Sequence, residues 1–199
     1  MFIRRVTTCF LSTLMLALAT IGLVSAPAVG AEKFQGYNTP FFWMNNVALG
    51  KTVAGKGLFF VQGFGSLQTV DFGSIVDGVF LRPGQNWTAG AVWWREDVDS
   101  IKNTLTIYLG GTFKVRMLII QTDNNDDYKV SWNDDIGGMT SITVSPTFIP
   151  FPGGLAVPVE IAVDAITDHF IIEHVGAGRG DGYYSVSEFQ AIGRKYRSR

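Results

Sequence analysis

Three short stretches of this chain hold its densest mixture of aromatic, amide and guanidinium side chains. They are Trp94-Arg95-Glu96, the turn Asp123-Asn124-Asn125-Asp126-Asp127, and the loop Gly178-Arg179-Gly180-Asp181-Gly182-Tyr183-Tyr184. Such a mixture suits a polyhydroxylated ligand. An aromatic face covers the apolar C–H patch of a sugar ring, and planar polar groups take its paired hydroxyls, because a buried hydroxyl without a partner costs roughly 1–3 kcal/mol. Trp94 offers a ring and Arg95 a charged fork. Asn124 and Asn125 offer amides, and Tyr183 and Tyr184 offer further rings, with Arg179 in the same glycine-rich loop. Core packing is the competing account of the tryptophans, and turn formation that of the asparagines.

Catalysis finds less support. The chain has two histidines, His169 and His174, and their spacing of five places them on opposite faces of an extended strand. No Gly-x-Ser-x-Gly nucleophile turn occurs. The acids cluster in turns, where solvation explains them, so the chain reads as noncatalytic. Arg179-Gly180-Asp181 spells an adhesion tripeptide and Asn86-Trp87-Thr88 a glycosylation sequon, but strings this short arise freely in polar turns.

Arg4 and Arg5 precede an apolar run from Cys9 to Val24, and small residues follow up to Ala31. This is the pattern of a signal peptide over residues 1–31, with cleavage before Glu32, so the mature domain of 32–199 is expected outside the cytoplasm, secreted or periplasmic. The chain's single cysteine, Cys9, would leave with the leader, and the mature domain would carry neither thiol nor disulfide. With 47% hydrophobic residues in 199, there is apolar material for one core. A formal charge of −1 and no long basic block argue against a nucleic-acid partner.

From Glu32 onward period-two alternation recurs between Gly, Asn, Asp and Pro punctuation. Leu105, Ile107 and Leu109 alternate with polar neighbours. Phe113, Val115, Met117 and Ile119 follow what reads as a Gly110-Gly111 turn. Tyr128, Val130 and Trp132 come next, then Val157 to Val163, then Phe170 and Ile172, then Tyr184 to Ile192. The expectation is an all-β antiparallel sandwich of about eight strands, a single jelly-roll domain with Leu105, Ile107, Val130 and Trp132 in its core. The tail from Arg194 to Arg199 reads as a solvated end.

Six segments in order resemble the discoidin or coagulation-factor type-C family. They are Asn46-Val47-Ala48-Leu49-Gly50-Lys51, Ile75-Val76-Asp77-Gly78, Val92-Trp93-Trp94, Leu105 to Gly110, Tyr128 through Gly138, and Ser187 to Gly193. The resemblance implies a galactose-binding-like sandwich with ligands held by loops at one end. It also implies a structural Ca²⁺ ion, with Asp77 as the loop carboxylate, Glu188 as the last-strand carboxylate and Thr88 as a further oxygen donor. Val79-Phe80-Leu81 stands where calcium-binding relatives place a second acid, and Gln121 stands where sugar-binding relatives place a gripping arginine.

The function expected is noncatalytic recognition of a carbohydrate or other extracellular polymer. A structural or adhesive protein–protein module and a phospholipid-surface binder are the alternatives. Phe41-Phe42-Trp43-Met44 and Leu58-Phe59-Phe60 are the apolar clusters a lipid surface would use.

Overall fold

Alternating segments of this kind bury one face each, and among the described residues eight antiparallel strands result. The computed structural model describes residues 45–60, 70–95, 102–134, 137–146, 153–176 and 181–197, all in a unit spanning Ala31–Arg199. The expected signal peptide, Phe41 to Met44 and Arg179 lie outside the described residues. In chain order the strands are β1 (Asn45–Asn46), β2 (Thr52–Lys56), β3 (Val92–Arg95), β4 (Thr104–Thr122), β5 (Asp127–Asn133), β6 (Met139–Val144), β7 (Val159–Val175) and β8 (Tyr183–Lys195).

Two long strands join the layers. The first part of β4, Thr104 to Tyr108, lies between β2 and the second part of β7, and β7 continues to β5 and β6. The second part, Phe113 to Thr122, lies between the first part of β7 and β8, which also pairs with β3 and β1. The layers meet through rings: Phe170 of β7 lies 5.4 Å from Phe189 of β8, and Tyr128 of β5 lies 6.0 Å from Trp94 of β3. Leu105, Ile107, Val130 and Trp132 are all buried in the core between them.

Gly110 and Gly111 do not form a reversal. Both have positive φ (74° and 155°), and the strand runs on through them as an irregularity between Tyr108 and Phe113 while pairing with β7 on either side. Two glycines fit a bulge as readily as a turn, since each tolerates left-handed backbone. Val159 and Phe170 likewise belong to one strand. A second register shift between Val115 and Met117 flips the alternation. Val115 faces the main core, but beyond the shift Leu118 and Ile120 do so, while Ile119 and Met117 pack with Phe80 and Ile192 elsewhere.

Of Leu58-Phe59-Phe60, Leu58 is exposed, whereas Phe59 joins the core and Phe60 stacks on Trp93 at 4.4 Å. The segment is therefore a strand-like edge that caps the sandwich. Arg194 to Arg197 are exposed, as expected of a solvated end, but their backbone is paired: β8 reaches Lys195, and the Tyr196 amide donates to the Thr112 carbonyl at 2.9 Å.

Candidate binding site

The end of β3 and the start of β8 lie side by side, with Trp94 opposite Tyr184 and Arg95 opposite Tyr183. Residues opposite one another in an antiparallel pair share a face, and successive residues alternate. One pair must therefore face inward and the other outward. Trp94 and Tyr184 face inward and are wholly buried. Their rings stack at 5.9 Å, and Tyr184 stacks on His174 at 4.2 Å. The Trp94 indole N–H donates to His174 Nδ1 at 3.3 Å, and the Tyr184 hydroxyl donates to the Gly176 carbonyl at 2.9 Å. Expected to stack on a ligand, both rings are instead core.

Arg95 and Tyr183 occupy the outer face. The Arg95 guanidinium lies 5.5 Å from the centre of the Tyr183 ring, and Trp87 supports Tyr183 at 5.4 Å. Trp87, Trp93, Leu155, Phe60, Leu81 and Tyr183 make a second small apolar cluster here. Arg95 is exposed and Tyr183 half-buried. Exposed Asn86 and Asp181 lie beside the ledge in sequence; Asn86 Oδ1 caps the Trp87 turn by accepting from the Thr88 amide at 2.8 Å, and Asp181 Oδ1 accepts from the Tyr183 amide at 2.9 Å. Trp87 was not among the residues singled out as ligand groups. An aromatic between Asn86 and Thr88 in a turn was the available signal.

The polar stretch that follows β4 turns inward as well. Gln121, Thr122, Asp123, Asn124, Asn125 and Asp126 are all buried, contrary to the solvated turn expected of them. Residues 153–156 cover them: the Asn124 amide donates to Gly154 O at 3.0 Å, and the Ala156 amide to Thr122 O at 2.8 Å. Gln121 has a complete set of partners. Its Oε1 accepts from the Leu81 amide at 2.9 Å and the Ser187 hydroxyl at 2.7 Å, and its Nε2 donates to Leu81 O at 2.8 Å and Ala156 O at 2.9 Å. Expected among the ligand groups, this glutamine instead ties two loops to the β4–β8 ladder.

Asp123 and Tyr128 form a second internal staple. Asp123 Oδ2 accepts from the Tyr128 hydroxyl at 2.5 Å and from the Ser185 amide at 2.8 Å. Burial pushes the Asp123 carboxyl well above the usual carboxylate range; the Tyr128 hydroxyl opposes this, and the Asp126 and Asp181 charges reinforce it. Burial and then the Asp123 charge push the Tyr128 phenol upward too. These groups are scaffold.

The residues expected to hold calcium divide. Glu188 is wholly buried; its Oε1 accepts from the Gly78 amide at 3.1 Å, and its Oε2 is buried without a hydrogen bond. Burial first, and the Asp77 charge second, push its pKa up to about 9 against the pull of Gln190 and the Gly78 and Val79 amides. Asp77 is exposed, with Oδ1 accepting from the Val79 amide at 2.8 Å. A buried carboxylate with a spare oxygen and a second carboxylate acting on it fit a hard cation. Thr88 is engaged elsewhere, its hydroxyl and amide both donating to Asn86 Oδ1. Among the described residues no three His, Cys, Asp or Glu side chains converge. A cation here would take its remaining oxygens from backbone carbonyls and water.

No family model matches this chain, and no curated protein matches it in sequence. Among solved structures it is similar to a Clostridium perfringens module, CpGH89CBM32-4, in complex with GlcNAc-α-1,4-galactose. Identity is 18%, over 75% of this chain and 94% of that one, with a TM-score of 0.46. It is similar to chitosan-binding module 1 of a Paenibacillus sp. IK-5 chitosanase/glucanase, at 21% identity over 74% and 98% of the two chains (TM-score 0.45). It is also similar to a Streptococcus pneumoniae fucose-binding module, at 15% identity over 75% and 95% (TM-score 0.48).

Proposed function

We propose that this protein is an exported, noncatalytic carbohydrate-binding module whose ligand rests on the ledge formed by Arg95 and Tyr183. The observation that carries this reading is the Arg95 guanidinium lying over the Tyr183 ring on the outer face. Attracted to the face of Tyr183, which Trp87 supports from the side, Arg95 presents its N–H fork to solvent next to an aromatic ring. An aromatic edge, a planar fork and the polar residues Asn86 and Asp181 near it are the groups a sugar ring needs. Such a small ledge supports weak monovalent binding, roughly Kd 10⁻⁴ to 10⁻³ M. Retention on a polysaccharide then depends on repeated ligand units.

The Asp77–Glu188 pair belongs to this reading as a structural Ca²⁺ site that fixes the Asp77 loop to the last strand. The bound ion would ionise Glu188 and supply the charge its buried oxygen lacks.

The test is a glycan array followed by sedimentation with the polysaccharide that scores, using purified protein and the variants Arg95→Ala and Tyr183→Ala. Folded variants that lose at least tenfold in binding support the ledge. Undiminished binding by both overturns it.

A further inference from the structure

At the other end of the β4–β8 ladder, four cations line one cleft. Lys114, Arg194, Lys195 and Arg197, with Tyr196, line an open cleft of about 550 Å³ on a chain whose formal charge is −1. Backbone geometry brings them there. Gly193 approaches β4 so closely that a Cβ would meet the Lys114 carbonyl at 2.5 Å, and this contact draws the end of β8 onto β4. Arg194 then pairs directly opposite Lys114, and Lys195 opposite Phe113.

Like charges opposite one another on one face of a sheet destabilise it. Asp164 is shared between Lys114 (3.5 Å) and Arg116 (2.8 Å), and among the described residues no acid pairs with Arg194, Lys195 or Arg197. Asp164 offsets Lys114 in part and Arg116 shares it, so the cluster holds more cations than the acid beside it can pair, a local conflict expected at a functional position.

We propose that this cleft is a second binding site, independent of the Arg95–Tyr183 ledge, and that it takes the carboxylate or sulfate groups of an anionic polysaccharide. Its volume falls in the range of small-ligand sites and accommodates one or two charged sugar rings. Tyr196, more than a third exposed, supplies a ring edge beside the cations. A bilayer would want apolar side chains beside the charges, and Tyr196 is the one such residue in the lining. Duplex nucleic acid would meet the acidic remainder of the chain.

The experiment measures binding of purified protein to heparin and to polygalacturonate over a salt series, beside vesicles containing 30% phosphatidylglycerol and a duplex oligonucleotide. The variants are Lys114→Gln with Arg194→Gln, the exposed pair Lys195→Gln with Arg197→Gln, and Lys129→Gln as a control on another strand. The expected result is at least tenfold weaker binding of one or both polysaccharides by each cleft pair, and a log–log salt dependence shallower by about two. Lys129→Gln should bind as the parent does. The Lys114/Arg194 pair is also expected to melt at or above the parent temperature at low salt, because the opposed charges are gone. If it fails to fold, the exposed pair decides. Binding unchanged in that pair, or parent binding to vesicles or the duplex as tight as to either polysaccharide, overturns the proposal. Loss of binding at Arg95 and Tyr183 leaves this result untouched, so the two sites fail separately.

Discussion

The two ends of the β4–β8 ladder use polar residues in opposite ways. At the Gln121–Glu188 end, amides, carboxylates and hydroxyls turn inward and bind loops to strands. At the Lys114–Arg194 end, charges turn outward, and Lys114 keeps Asp164 as its acid while Arg194, directly opposite it, has none among the described residues. The richer polar composition thus marks the internal scaffold, and the plainer basic tail marks an open surface. What separates them is cover. Residues 153–156 close over the first end, whereas the second ends in exposed side chains.

The largest expected effect breaks the buried end. Trp94→Ala removes a wholly buried ring that packs on Phe59, Tyr128 and Tyr184. It should cost about 3–5 kcal/mol in urea unfolding. A loss under about 1 kcal/mol would place the ring outside the core.

Glu188→Gln sharpens the same contrast with the opposite sign. With its pKa at about 9, Glu188 keeps a proton in the folded state that the unfolded state loses at ordinary carboxylate pH. Native stability therefore falls as pH rises through that window. Without calcium, the glutamine variant should be more stable at pH 8 by roughly 2–4 kcal/mol, and near the parent at pH 4. Calcium at a hundredfold over Kd should raise the parent's stability by about 2.7 kcal/mol and leave the variant unmoved. A variant that melts below the parent at pH 8 contradicts the buried-acid account.

Tyr128→Phe should cost about 1–3 kcal/mol, since it strips a buried donor from Asp123. Thermal melts at neutral pH measure it, and a change near zero would mean the staple contributes nothing. Arg95→Ala is the smallest perturbation, within about 0.5 kcal/mol of parent stability, because its head is solvated. A larger loss in melts would make Arg95 part of the scaffold.

The strands were legible in the sequence where alternation was clean. Leu105 to Leu109 and Tyr128 to Trp132 lie in strands as their patterns indicate. Gly110-Gly111 was not, because glycine pairs carry no mark that separates a bulge from a reversal. The shift near Arg116 was invisible too, since one extra residue exchanges the faces of all that follow. Trp94 and Arg95 could be named as neighbours, but which of them faces out depends on pairing with Tyr184 and Tyr183, more than eighty residues away. The inward turn of Gln121 to Asp126 likewise rests on residues 153–156, which local polarity cannot reveal.

The most direct test of the outward ledge is an amide chemical-shift titration of labelled protein with a soluble oligosaccharide chosen by the array. The account predicts saturable shifts centred on Arg95, Tyr183 and Trp87, with Asn124 and Asn125 little moved. Saturable shifts centred on another surface while Arg95 and Tyr183 stand still would contradict it.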